Sequence, residues 1–255
     1  MKRMIVQEKL PVPRLVWRRV FRLFIVLNLV FVGRASAVVV VNVDFTSTSG
    51  QLNYTPYSGQ GAYADPGNDF WNSMDKDHLV LSDLVASDGM TVTGICIEIT
   101  GLYIKNWSKN NGRIAEPKNL MCDYIFTENS TGTIEIFGLS ANFEHILYLY
   151  GAGDYANQGS TFTFGTSSAT LPGPYQRTTN ITLGEDYVIM DVLSDSNGKI
   201  TGTWTSNGYT AFGPFNGIQF VIPEPGSLCL FGLGGLQLLI RRRKLRDHSL
   251  RSCHS

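Results

Sequence analysis

Histidine and cysteine are scarce in this 255-residue chain, four of each. Residues 38–221 contain only His78, His145, Cys96 and Cys122. Neither cysteine has a second cysteine or a histidine close by in sequence, so zinc-ligand spacing is absent. No His-x-x-x-His pair and no Gly-x-Ser-x-Gly elbow occurs, which removes the usual signatures of metal-dependent and serine hydrolases. Basic residues are also sparse in the middle of the chain. Residues 38–226 hold seven of them against 19 acids, a net charge of 7 − 19 = −12, although the whole chain is formally neutral. Such a region has no electrostatic footprint for nucleic acid. Long apolar runs are missing too: residues 228–240 offer only 13 positions, where a membrane helix usually needs about 20. After residue 38 helical periodicity is hard to find. No period of 20–50 residues suggests a solenoid, and no low-complexity linker divides the middle. Its length of about 190 residues suits one domain with a proper core.

What the middle does contain is strand signal. Residues 38–45 (VVVVNVDF) read as a first strand. Residues 90–100 alternate, with a bulge expected at Gly94. Residues 133–137 (TIEIF) alternate cleanly, and 145–150, 161–164, 187–193, 200–205 and 218–222 continue the series. Gly, Asn, Asp and Ser punctuate these runs; Asn197-Gly198 predicts a tight hairpin turn. Tyr148 with Tyr150, and Phe162 with Phe164, are spaced to fill one face of a sheet. Together these predict an all-β fold, an antiparallel β-sandwich or jelly roll, flanked by an N-terminal signal helix and a C-terminal membrane helix.

The flanks are where the basic residues have gone. Residues 1–22 carry seven bases and one acid; residues 23–32 are apolar apart from Asn28; Ala35-Ser36-Ala37 supplies small residues at both positions that signal peptidase reads. This order predicts a secretory signal peptide over 1–37, cut after Ala37. An uncleaved anchor is the alternative, because the basic region is long and Arg34 lies near the cut. At the other end stand Pro223-Glu224-Pro225, then the apolar run 228–240, then Arg241-Arg242-Arg243-Lys244. The basic cluster favours a cytoplasmic end by the positive-inside rule, and Gly232, Gly234 and Gly235 suit a membrane helix. The alternative is an amphiphilic tail lying on the membrane surface.

That three-part order resembles the PEP-CTERM sorting signal of exported bacterial proteins. The resemblance implies exosortase as the processing partner, Pro223, Glu224, Pro225 and Arg241–Arg243 as the sorting residues, and delivery to the cell surface or matrix of exopolysaccharide-producing cells. Residues 222–246 are assigned to this segment. The tail 247–255 extends past the point where the family's chains usually stop. A second resemblance covers the ectodomain 38–221. Ile136-Phe137-Gly138-Leu139 followed by 145–151 looks like the strand–GL–strand element of galactose-binding-like and fibronectin-like sandwiches, with Leu139 plugging the end. The segments 57–62, Trp71-Asn72 and 215–219 look like ectodomains found before such tails.

Candidate chemistry is modest. Asp65, Asn68 and Asp69, with Asp75 and Asp77 nearby, form an acidic loop able to offer oxygens to a structural calcium; the plain reading is a solvated turn. Trp71, Asn72 and Trp107 are candidates for sugar contact, since a pyranose needs an exposed aromatic face beside hydrogen-bonding groups; Trp204 reads as core. Cys96 and Cys122 would pair in an oxidising compartment, or stay as small buried thiols. Asn53, Asn106, Asn129 and Asn180 open N-x-[ST] sequons, read as incidental. No two carboxylates stand out as a catalytic pair. The sequence therefore favours a non-catalytic exported envelope protein with exopolysaccharide as a candidate partner. A secreted glycoside hydrolase or esterase is the alternative.

Overall fold

The computed structural model describes residues 38–46, 57–64, 67, 69–101, 104–108, 120–153, 155–173 and 181–223. Among these there are fourteen strands and no helix. They are β1 (Val38–Phe45), β2 (Asn72–Met74), β3 (Val80–Leu81), β4 (Cys96–Gly101), β5 (Lys105–Ser108), β6 (Asp123–Glu128) and β7 (Gly132–Phe137). Then follow β8 (Glu144–Tyr150), β9 (Ser160–Phe164), β10 (Ser167–Thr170), β11 (Tyr187–Leu193), β12 (Ile200–Ser206), β13 (Phe212–Phe215) and β14 (Gly217–Pro223). The predicted signal helix and membrane helix lie outside the described residues. No helix among the described residues is long and apolar enough to cross a membrane.

A five-stranded sheet runs β11-β8-β14-β1-β2, and a six-stranded sheet runs β10-β9-β12-β7-β4-β3. A small third sheet runs β13-β6-β5. All described strand pairs are antiparallel except β1 with β2, which is parallel. Alternation explains which face each strand buries. On the five-stranded sheet, Val41, Val43, Phe45, Leu147, Leu149, Ile218 and Phe220 point one way. They join Ile97, Ile99, Ile134, Ile136, Phe162, Phe164 and Trp204 of the six-stranded sheet in one apolar cluster. Ile125 and Phe215 of the small sheet close it. Trp204 is fully buried, and its indole N–H donates to Gly213 O at 3.1 Å, so the reading of Trp204 as core holds.

The opposite face of the five-stranded sheet is covered as well, so β1 is buried on both sides from Val40 on, its apolar run interrupted by Asn42 and Asp44 on the covered face. Tyr148 and Tyr150 share one face of the sheet, as their spacing predicts, though not the face on the main core cluster. Leu147 and Leu149 take that face, and Tyr150 points outward into a second cluster with Tyr57, Trp71, Leu120 and Met121. Residues 57–63 lie across this outer face, tied down by side chains of the sheet. Tyr57 N–H donates to Asp44 Oδ2 at 2.8 Å, and Ala62 N–H donates to the Tyr150 hydroxyl at 2.7 Å. Tyr63 N–H donates to Gln219 Oε1 at 3.0 Å. Gly61 is required by close approach: a Cβ there would stand 2.3 Å from Gln219 Oε1.

Two local expectations change. Residues 90–95 belong to a loop whose Val92 bridges back to Val85, and β4 starts only at Cys96 after the left-handed Gly94. In the 195–199 turn only Gly198 has positive φ. It donates to Asp195 O at 3.1 Å, giving a type I-like turn with a left-handed glycine rather than a two-residue hairpin. No disulfide joins Cys96 and Cys122. Cys96 opens β4 in the six-stranded sheet with Sγ 3.9 Å from Ser82 Oγ, whereas Cys122 is buried where the chain enters β6 of the small sheet.

Candidate functional site

The residues around β2 build an open cleft of about 350 Å³, lined by Phe70, Trp71, Asn72, Ser73, Leu81, Ser82 and Leu84. Three side chains, Asn42, Asn72 and Trp71, set its shape. Asn42 Nδ2 donates to Phe70 O at 2.9 Å, pinning the chain just before β2 against β1. Asn72 Nδ2 donates to Asn42 O and Val85 O, both at 2.8 Å, and its Oδ1 accepts from Val85 N–H at 2.9 Å. Trp71 Nε1 donates to Gly59 O at 2.8 Å, and its ring packs edge-on against Tyr57 and Tyr150.

Trp71 and Asn72 therefore do line the cleft, but with different jobs from those expected. Trp71 is only 3% exposed, so its ring offers no open stacking face. Asn72 spends its amide on backbone groups. The neighbouring Phe70, 40% exposed, presents the open ring, with the hydroxyl-bearing Ser73 and Ser82 beside it. The sequence reading missed Phe70. Three consecutive residues share its polarity context, and nothing in their order says which ring the segment 57–59 will cover.

Trp107, the third candidate for sugar contact, is a strand residue. It lies in β5, in register with Tyr124 of β6. Of the acidic loop, Asp65 and Asn68 lie outside the described residues, and Asp69 is exposed. No group of three or more metal-binding side chains occurs among the described residues. Asp75 turns on itself: Oδ1 accepts from Asp77 N–H at 2.9 Å and from His78 N–H at 2.8 Å, and it contacts His78 Nδ1 at 2.9 Å. Partial burial works against ionisation there, but these hydrogen bonds prevail and hold its carboxyl below the usual range. His145 faces the core, 1% exposed, with Phe143 against its ring. Burial pushes its pKa down, only partly opposed by the nearby Ser140 backbone, so it serves packing rather than surface proton transfer.

A buried polar network lies behind the cleft. Tyr150 OH donates to Gln219 Oε1, and Gln219 Nε2 donates to Asn42 Oδ1 at 2.9 Å. Asp44, on the same face of β1, is fully buried, and desolvation raises its pKa to about 7 despite the Tyr57 N–H bond. These groups hold the cover segment in place.

The sorting segment departs from the other end of this sheet. Pro223 is the last residue of β14 and is half-buried; Glu224, Pro225, Arg241, Arg242 and Arg243 lie outside the described residues, as do Ala35 and Ala37. Val38, the first residue of β1, is the register partner of Pro223.

Against known families, residues 221–244 match the PEP-CTERM protein-sorting motif. The chain carries this motif, which marks export and membrane-associated sorting toward the cell surface with exosortase processing. No curated protein matches the chain. Among solved structures, the exo-β-1,3-galactanase of Phanerochaete chrysosporium with galactose is 16% identical over 49% of this chain, with a TM-score of 0.31. This chain spans only 27% of that enzyme. TmCBM61 in complex with β-1,4-galactotriose is 10% identical over 50% of this chain and 84% of its own, with a TM-score of 0.26. The tailspike protein 4 enzymatically active domain of bacteriophage CBA120 is 12% identical over 52% of this chain and 19% of its own, with a TM-score of 0.22. Likenesses of this size place no ligand and no reaction on this chain.

Proposed function

We propose that the protein is a non-catalytic β-sandwich delivered to the cell envelope or extracellular matrix by its C-terminal signal, whose mature domain contacts polysaccharide at the cleft beside β2. The observation that carries the delivery reading is the sorting motif at 221–244, which begins within β14. Address and passenger are one continuous element. The two larger sheets sharing one apolar cluster support the sandwich.

The cleft supports the binding role by its chemistry. A sugar ring offers C–H patches and hydroxyls together, and Phe70 with Ser73 and Ser82 offers a ring face and hydroxyls together. Glycosidases generally set two carboxyl groups across the bond they cleave; among the described residues this cleft is lined by aromatic, amide, hydroxyl and aliphatic side chains.

Mass spectrometry of the protein recovered from producing cells tests the delivery reading. The expected product starts at Val38 and ends within residues 223–227; an intact 255-residue chain would refute it. Retention of that recovered protein on a glycan array, with and without calcium, tests the second half. Loss of retention in Phe70→Ala is expected, and a protein that binds no polysaccharide is left with a structural role.

A further inference from the structure

Two points that the sequence sets far apart meet on one strand pair. Val38 pairs with Pro223 and Val39 with Ile222, at the end of the β1–β14 ladder. On its other side β14 is held by β8 only as far as Val221, opposite Ile146. In backbone pairing Ile222 and Pro223 are therefore held by β1 alone, while the Ile222 side chain also packs against the main core cluster. The sorting motif starts at residue 221, so its first three residues, 221–223, are strand residues of the folded domain. Only residues 224–227 separate the sheet from the apolar run at 228, and four residues reach at most about 14 Å.

An enzyme that takes an extended segment pairs with its backbone and needs room on both sides of the bond. Residues 222–223 are open on the β8 side but paired on the β1 side, so an enzyme that must enclose the segment from both sides has to part it from β1. Resting on the sorting reading above, we infer that C-terminal processing is gated by fraying of the last β1–β14 pairs, so that β1 regulates the release of the domain to which it belongs. Processing opens one peptide bond of the segment; when water is the acceptor, OH goes to the acyl side and H to the amine. The N-terminal cut belongs to the same device. Removing residues 1–37 leaves Val38 as a chain end, and chain ends fray most readily. N-terminal processing therefore precedes and speeds C-terminal processing.

The test is a pulse-chase of the full-length precursor in exosortase-bearing cells, with both termini read by mass spectrometry. One variant inserts six Gly/Ser residues between Phe220 and Val221, leaving the motif 221–244 intact. A second, Val38→Gly with Val39→Gly, loosens the end pairs without adding length. Val38→Gly alone, at a position 42% exposed, serves if the double variant does not fold. Protease resistance of the recovered domain reports its folding. The spacer and the glycine variant are each expected to be processed about fivefold faster than wild type. Equal rates in all three overturn the inference while leaving the sorting reading intact. Acceleration by the spacer but not by glycine also overturns it, since distance and not fraying would then be limiting. A wild-type precursor that is never processed removes the sorting reading, and the inference with it.

Discussion

Asp44 is the residue at which burial and chemistry conflict most. Its Oδ1 has no hydrogen-bond partner among the described residues, and the carboxyl is held near a pKa of about 7 by desolvation, against an ordinary value of 3.8. Between those values the folded state keeps a proton that the unfolded state has lost. Stability from this group is thus complete below the ordinary value and declines as pH rises through about 7. Asp44→Asn, which keeps an oxygen for Tyr57 N–H, is expected to flatten that decline and to be more stable than wild type at pH 8. Urea midpoints at pH 4, 6 and 8 check this; an unchanged slope would show that Asp44 titrates normally. A second single-residue test is steric. A Cβ on Gly132 would lie 2.1 Å from Trp204 Cζ3, and Trp204 is locked by its bond to Gly213 O. Gly132→Ala is expected to cost about 1–3 kcal/mol in thermal or urea unfolding.

Turns and strand ends carry the next set of constraints. Gly198 combines φ of 72° with a virtual Cβ only 2.0 Å from Leu139 O. The turn also depends on Asp195, whose Oδ1 accepts from Lys199 N–H at 2.9 Å and Asn197 N–H at 2.8 Å, bonds that hold its carboxyl below the usual range. Gly198→Ala should therefore lower the melting temperature well beyond what Ser196→Ala does at the same turn. At the level of whole strands, β14 sits between β8 and β1. A chain ending at residue 223 is expected to resist protease, whereas one ending at residue 216 leaves β1 and β8 without their shared partner and should be degraded.

For the molecule as a whole, the first strand pairs with the last. The five-stranded sheet cannot close until both β1 and β14 are present, so its formation needs the whole of residues 38–223. Most pairings join distant segments, and such topologies fold slowly, on millisecond-to-second scales. Stopped-flow refolding of the 38–223 chain, followed by Trp204 and Trp71 fluorescence, should fall in that range; microsecond folding would contradict the non-local pairing.

Sequence alone was enough for the strands whose side chains alternate or are β-branched: β1, β7, β8, β9, β11, β12 and β14 stand close to where period and propensity put them, and β4 covers the second half of its expected run. It missed β6, whose buried run DYIFTE has no alternation, and the short β2, β3, β5, β10 and β13, which exist only because a neighbour supplies hydrogen-bond partners. The sorting signal was legible because its order of rigid, apolar and basic parts is written in one continuous stretch. The cleft was not, because exposure is a relation between segments: the crossing of 57–63 over β1, β8 and β14 buried Trp71 and left Phe70 open. The meeting of Val38 with Pro223 likewise belongs to tertiary structure, since nothing local can tell a strand which partner will close its sheet.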